Sequence, residues 1–149
     1  MKSSLSTLCY IEKDGQYLML HRTVKKNDVN KDKWIGVGGH FEADESPEEC
    51  LLREVWEETG LTIESPILCG LYHWYKGAVH NVITLYKAEK FTGTLTSSEE
   101  GKVYWIPVEE LKSKELATGM EYVLKIMESE QIGECYMHLE ANGFVGDLY

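Results

Sequence analysis

Glu54, Glu57 and Glu58 stand at i, i+3 and i+4 in the segment "REVWEETGL", so on an α-helix their carboxylates share one face. They belong to a wider concentration of charge. Residues 39–61, "GHFEADESPEECLLREVWEETGL", hold eight acids and a single basic side chain of fixed charge, Arg53. Two like charges about 4 Å apart repel by roughly 4 kcal/mol at an effective dielectric near 20. The three glutamates also fall in the last turns of the helix, where its dipole disfavours anions by about 0.3–1 kcal/mol each. Two readings answer this crowding. One is a solvated acidic face, the usual meaning of a charge run. The other is a site for Mg²⁺ or Mn²⁺, which take hard oxygen ligands. On residue types and spacing alone, both stand.

The elements that must position these side chains are legible on either side. Ser46-Pro47-Glu48-Glu49 is a helix start, with Ser46 as N-cap, Pro47 at the first helical position and Glu49 closing a capping box. Thr59-Gly60-Leu61 is a helix stop: Gly60 takes the left-handed C′ position, and Leu61 can reach back to Trp56. The helix therefore spans about Pro47 to Glu58, with Leu51, Leu52, Val55 and Trp56 as its apolar contacts. Upstream, Thr7–Ile11 and Tyr17–His21 read as strands around "EKDG", where Asp14-Gly15 is a hairpin signal. The polar loop "TVKKNDVNKDK" leads into the glycine-rich, extended "WIGVGG". Downstream, "ILCGLYHWY" and "HNVITLYKAEKF" alternate as strands joined through "KGA", and "KVYWIPV" is another, ended by Pro107. "ELATGMEYVLKIMESE" places Leu116, Met120, Val123, Leu124 and Met127 on one helical stripe. The tail "ECYMHLEANGFVGDLY" fits either element. Strands with few helices imply an α+β class, a mixed β-sheet flanked by helices, within one domain over residues 1–149.

Composition narrows the function. Of 149 residues 43% are hydrophobic and 27% charged, which is enough apolar material for a packed core. A formal net charge of −10 argues against a nucleic-acid polymer as partner, since its phosphates need a basic surface. A small anionic substrate is compatible if a cation bridges it to the acids. No apolar run is long enough for a membrane span, and the N-terminus lacks the h-region of a signal peptide. Cys9, Cys50, Cys69 and Cys135 are scattered without a Cys-x-x-Cys pair, as expected for reduced, buried thiols of a cytoplasmic protein. Oligomeric state leaves no signal, and a homodimer is the default for soluble proteins.

The acidic segment resembles the Nudix box, G-x5-E-x7-R-E-U-x-E-E-x-G-U with U aliphatic. Gly39, Glu45, Arg53, Glu54, Val55, Glu57, Glu58, Gly60 and Leu61 fill all nine fixed positions. The resemblance implies an α/β/α sandwich that hydrolyses nucleoside diphosphates linked to another group X, with Mg²⁺ or Mn²⁺ as cofactor. It implies Glu54, Glu57 and Glu58 as metal ligands, helped by the Gly39 carbonyl. Arg53 would orient Glu54, and Glu45 would support the loop against the helix. Bound cations would bridge carboxylates to the diphosphate, neutralise charge on phosphate oxygens and lower the pKa of a water. The general base would be Glu54, or a glutamate on a loop outside the box. "SSEEGKVYW" offers Glu99 and Glu100 there, Glu100 standing five residues before Trp105 and serving as a further metal ligand or as the base. The same acids can instead solvate a hairpin loop.

The segments "KDKWIGVGGHFE" and "SSEEGKVYW" resemble MutT-type enzymes, which convert (oxidised) nucleoside triphosphates such as 8-oxo-dGTP to the monophosphate and pyrophosphate. Two departures stand against that substrate. Animal members carry Asn after the Trp of this segment, where Ile35 offers no hydrogen bond, and "ATGMEYV" lacks their Trp-Pro-Asp-Asp run. A purine can stack on Trp34, Tyr72, Trp74 or Tyr122, each of which can equally be core. Arg22, Lys25 and Lys26 precede the glycine loop and can meet phosphate oxygens, Arg22 best of them. Gly38, Gly39 and His40 are expected beside the phosphate chain. His21, His40, His73, His80 and His138 show no metal-ligand spacing. The alternatives are ADP-ribose or another nucleoside diphosphate-X substrate, a nucleotide-binding regulatory domain without turnover, or a protein-binding acidic face without metal dependence.

Overall fold

The computed structural model describes residues 2–23, 32–98 and 101–149. Its frame is a large mixed sheet. Strand β1 (Lys2–Lys13) turns through Asp14 and Gly15 into β2 (Gln16–Arg22), and both turn residues have positive φ, 51° and 75°, as a tight two-residue hairpin requires. The short β3 (Trp34–Ile35) pairs with β2, and β4 (Val37–His40) pairs antiparallel with β1. After helix α1 (Pro47–Thr59) come β5 (Leu61–Glu64), β6 (Ile67–Lys76), β7 (Val79–Ala88), β8 (Lys90–Gly93) and β9 (Gly101–Pro107). A 3₁₀ turn (Val108–Ser113), helix α2 (Met120–Glu128), β10 (Glu134–Glu140) and β11 (Gly143–Leu148) complete the chain. The sheet runs β11-β10-β6-β7-β1-β2-β3, with β4 also on β1 and β9 on β2. The pairs β1–β7 and β10–β6 are parallel and the others antiparallel.

The central strands are apolar on both faces, which is why β1 reads as the unbroken run "TLCYI". Leu8 and Tyr10 of β1, Ile83 and Leu85 of β7, and Tyr17 and Met19 of β2 join one buried cluster with Met120, Val123 and Met127 of α2. Their neighbours Cys9, Ile11, Leu18, Leu20, Tyr86 and Ala88 join a second cluster with Leu51 and Val55 of α1. The two helices thus cover opposite faces of one mixed sheet, the α+β layering expected. None of the helices among the described residues is long and apolar enough to cross a membrane.

Several local expectations change. The stretch 80–91 is two strands: β7 ends at Ala88, and β8 leaves to pair with β5 in a separate two-stranded sheet. Helix α2 starts only at Met120, because Gly119 has φ 85° and a β-carbon there would strike the Tyr72 hydroxyl; Leu116 instead forms a bridge with Trp34. On α1, Leu51 and Val55 are buried, but Leu52 is 37% and Trp56 62% exposed. Leu61 points into the core with Ile63. The tail is a hairpin, β10–β11, that adds the sheet's last two strands. All four cysteines are free thiols, Cys69 only half-buried.

Candidate active site

Helix α1 is held at both ends by its own side chains. The Glu49 N–H donates to Ser46 Oγ at 3.1 Å, and the Ser46 N–H donates to Glu49 Oε1 at 3.0 Å, a complete capping box. At the other end Gly60 has φ 78° and its N–H donates to the Trp56 carbonyl at 2.9 Å. Between these stops Arg53 ties the acids together. Its Nε and Nη2 donate to the two oxygens of Glu45 at 2.7 and 2.9 Å, a bidentate pair. Nη1 reaches Glu54 at 2.9 Å and Glu57 at 3.2 Å, and Nη2 also donates to the His40 carbonyl at 3.0 Å. One guanidinium therefore fastens three carboxylates and the glycine loop. The hydrogen bonds from Arg53, with one from the Glu42 N–H, hold the Glu45 carboxyl down at about 2, and Glu45 in turn keeps the guanidinium charged.

The glycines of β4 bring the backbone against these acids. The Gly38 N–H donates to Glu58 Oε1 at 2.8 Å, and Glu58 is only 3% exposed. Gly39 lies so close to Glu54 that a β-carbon on it would sit 2.6 Å from both carboxylate oxygens. Gly38, Gly39, His40, Glu54 and Glu58 form one end of a cleft of about 800 Å³. Arg22 and Ile35 also line it, and it runs on to Tyr72, Trp74, Asn81 and Phe144.

This arrangement has known counterparts. The chain matches the family model of the NUDIX domain over residues 3–125. It is 30% identical over 127 residues to the uncharacterized Nudix hydrolase YvcI of Bacillus subtilis (strain 168), covering 81% of this chain and 77% of that one. The chain belongs to the Nudix family. A MutT-like protein of Streptomyces ambofaciens is 33% identical over 106 residues, 70% of this chain but 63% of that protein. The crystal structure of a MutT protein from Bacillus halodurans superposes with a TM-score of 0.79 at 25% identity, covering 97% of each chain. As a Nudix hydrolase the protein acts on pyrophosphate bonds of nucleoside diphosphate-X compounds.

The Nudix glutamates fit a divalent cation by donor type and place. Glu54 and Glu58 present hard oxygens to the cleft beside the Gly39 backbone, which lacks the β-carbon that would fill the space. The shell is not finished: among the described residues no three His, Cys, Asp or Glu side chains converge as ready ligands. Glu57, expected from sequence as a ligand, is not among the residues lining the cleft: its side chain is 48% exposed and engaged by Arg53. The Gly39 carbonyl accepts from Cys50 Sγ at 3.7 Å.

Of the other residues expected from sequence, Arg22, Gly38, Gly39 and His40 border the cleft. Trp34 lies outside its lining, stacked on His21 with ring centroids 4.4 Å apart. Tyr72 and Trp74 line the cleft, while Tyr122 packs over Gly146. Glu99, Glu100, Lys25 and Lys26 fall outside the described residues. The sequence reading missed Ser6, Asn81, Met137 and Phe144, whose strands are joined to the site only by sheet pairing. The one available signal was strand alternation around Trp74 and Asn81.

Proposed function

We propose that this Nudix hydrolase uses Mg²⁺ or Mn²⁺ to cleave a nucleoside triphosphate, 8-oxo-dGTP foremost, to the monophosphate and pyrophosphate. The observation that carries this reading is the continuity of one cleft from Glu54, Glu58 and the Gly38–Gly39 loop to the aromatic end at Tyr72 and Trp74. A phosphate chain lies at the first end and a nucleoside at the second. The likeness to MutT-like relatives supports a triphosphate over other X groups.

The chain's own residues divide the work. Arg53 holds Glu54 at a fixed distance, so this carboxylate spends no conformational entropy in taking its place at the cleft. The Gly38 N–H fixes Glu58. Arg22 supplies a cation on the phosphate side, suited to anionic oxygens by its planar fork. In this reading Glu54, packed on Gly39, takes the proton of the attacking water, with Glu100 as the alternative base. A divalent cation, when bound by Glu54, Glu57 and Glu58, supplies neutralisation of phosphate charge and a more acidic water. The free cysteines agree with a reducing, cytoplasmic setting.

The test is hydrolysis of a panel: dNTPs, 8-oxo-dGTP, ADP-ribose, dinucleoside polyphosphates and nucleotide sugars. Pyrophosphate release from a triphosphate should require Mg²⁺ or Mn²⁺ and vanish with chelator. Glu57→Gln should lower kcat/KM on the order of 10³-fold, about 4 kcal/mol of barrier. A Glu57→Gln protein as active as wild type would exclude that role. Nucleotide binding by calorimetry without metal-stimulated turnover would favour a regulatory domain instead, and size-exclusion light scattering decides the homodimer.

A further inference from the structure

We infer that strand β11 is a docking edge for a second copy of this chain, the two β11 strands pairing antiparallel about a two-fold axis at Gly146. The sheet ends at β11, which among the described residues pairs with β10 alone. The direction of its backbone groups follows from the bonds just beyond its end. The Tyr149 N–H donates to the Glu134 carbonyl at 2.9 Å, and the Glu134 N–H donates back to the Tyr149 carbonyl at 3.1 Å. Bonded and non-bonded pairs alternate along an antiparallel ladder. With Cys135, Met137 and Leu139 opposite Leu148, Gly146 and Phe144, the inward bonds belong to Asp147 and Val145. Phe144, Gly146 and Leu148 therefore turn their N–H and C=O groups outward from the sheet.

Lysine, proline, a bulge or extreme shortness commonly blunts a free edge of this kind. The sheet's other end, β3, is only two residues long. β11 has six residues, "GFVGDL", without lysine or proline, and its register with β10 runs unbroken. Its one charged side chain, Asp147, accepts from His138 Nε2 at 2.7 Å. Apolar groups gather at this edge: Phe144 is 57% exposed, and Leu139, opposite it on β10, is 71% exposed.

A second copy fits this edge by symmetry. With Gly146 opposite Gly146 of the other copy, Phe144 faces Leu148 and Leu148 faces Phe144, so every outward residue finds a reciprocal partner. Each such pair exchanges both of its N–H···O bonds. The same register sets Asp147 against Val145, so no acid opposes an acid, which matters between chains of net charge −10. On the α2 side Phe144 meets Leu148 beside Tyr122, whose ring would lie 2.8 Å from a β-carbon on Gly146. The pairing joins two sheets into one and closes as a dimer. Phe144 also lines the cleft, so Leu148 of the second copy stands at its rim.

The experiment follows mass by light scattering and amide exchange by NMR on the full chain across a concentration series. Wild type should reach twice the mass of one chain and stop there, because a two-fold pairing closes. Over the same series the amides of Phe144, Gly146 and Leu148 should pass from fast to slow exchange, while those of Val145 and Asp147 stay slow throughout. Phe144→Pro removes one outward donor from each strand and no bond to β10, and should weaken the dimer at least about 10-fold. Phe144→Leu keeps the donor and an apolar side chain, and should stay close to wild type; melting curves of both variants check their folding. A wild type that stays monomeric with those three amides in fast exchange overturns the inference and leaves the edge to a strand of another protein. So does a dimer in which the three exchange fast, or one that folded Phe144→Pro leaves intact, since the copies then meet elsewhere. If Phe144→Pro does not fold, the wild-type exchange pattern decides. None of these readouts depends on hydrolysis, so the substrate assignment stands or falls separately.

Discussion

A methyl group added at Gly39 lands 2.6 Å from both carboxylate oxygens of Glu54. Ordinary contact begins at 3.4 Å, so in Gly39→Ala the carboxylate must retreat by about 1 Å. It cannot do so freely, because Arg53 Nη1 holds Oε1 at 2.9 Å and is itself fixed by the bidentate bond to Glu45. A 1 Å misplacement in a catalytic constellation costs about 10²-fold in rate, or roughly 2.7 kcal/mol of barrier. The strain falls on a side chain at the cleft and not on the core, so stability should drop by no more than about 1 kcal/mol. Gly38→Ala is the contrasting control. Its new carbon collides with the Thr7 carbonyl group, 2.7 Å from the carbonyl carbon, and stands 2.9 Å from Leu8 Cα, all backbone of the central strand β1. That change should cost the fold itself. The assay is metal-dependent hydrolysis of the best substrate beside thermal melting of wild type and both variants. A Gly39→Ala protein that melts like wild type and keeps kcat/KM within about threefold would refute the placing of Glu54 in the reaction.

Gly60→Ala tests the end of α1: φ is 78°, and a β-carbon there would lie 2.5 Å from the Thr94 carbonyl oxygen. The left-handed conformation alone costs an L-residue about 1–2 kcal/mol, so the melting temperature should fall by at least about 2–4 °C. Glu45 sets an acid limb of stability. Its carboxyl titrates at about 2 in the folded protein against an ordinary 4.5, so between those values the unfolded chain binds more protons. The stabilisation is complete above about pH 4.5 and is lost as pH falls toward 2. Melting temperature plotted against pH should therefore fall less steeply over that window in Glu45→Gln than in wild type. Parallel curves would show that Arg53 does not draw on Glu45.

Residues near one another in the chain determined what could be settled from sequence alone. Ser46, Glu49 and Gly60 fix the limits of α1 through bonds spanning three or four residues, and the 3.6-residue period puts Glu54, Glu57 and Glu58 on one side. Asp14-Gly15 fixes the first hairpin in the same local way. Tertiary structure decided which of these groups meet. Arg53 could be expected beside Glu54, but its reach to the His40 carbonyl depends on β4 docking on α1. Trp34, beside the glycine loop in sequence, turns to stack on His21 away from the cleft. Asn81, Met137 and Phe144 arrive there from strands whose order and parallel pairing no local rule encodes. Alternation shows that a strand has two faces, yet which face borders the cleft follows from register, and register is set by packing across the whole sheet.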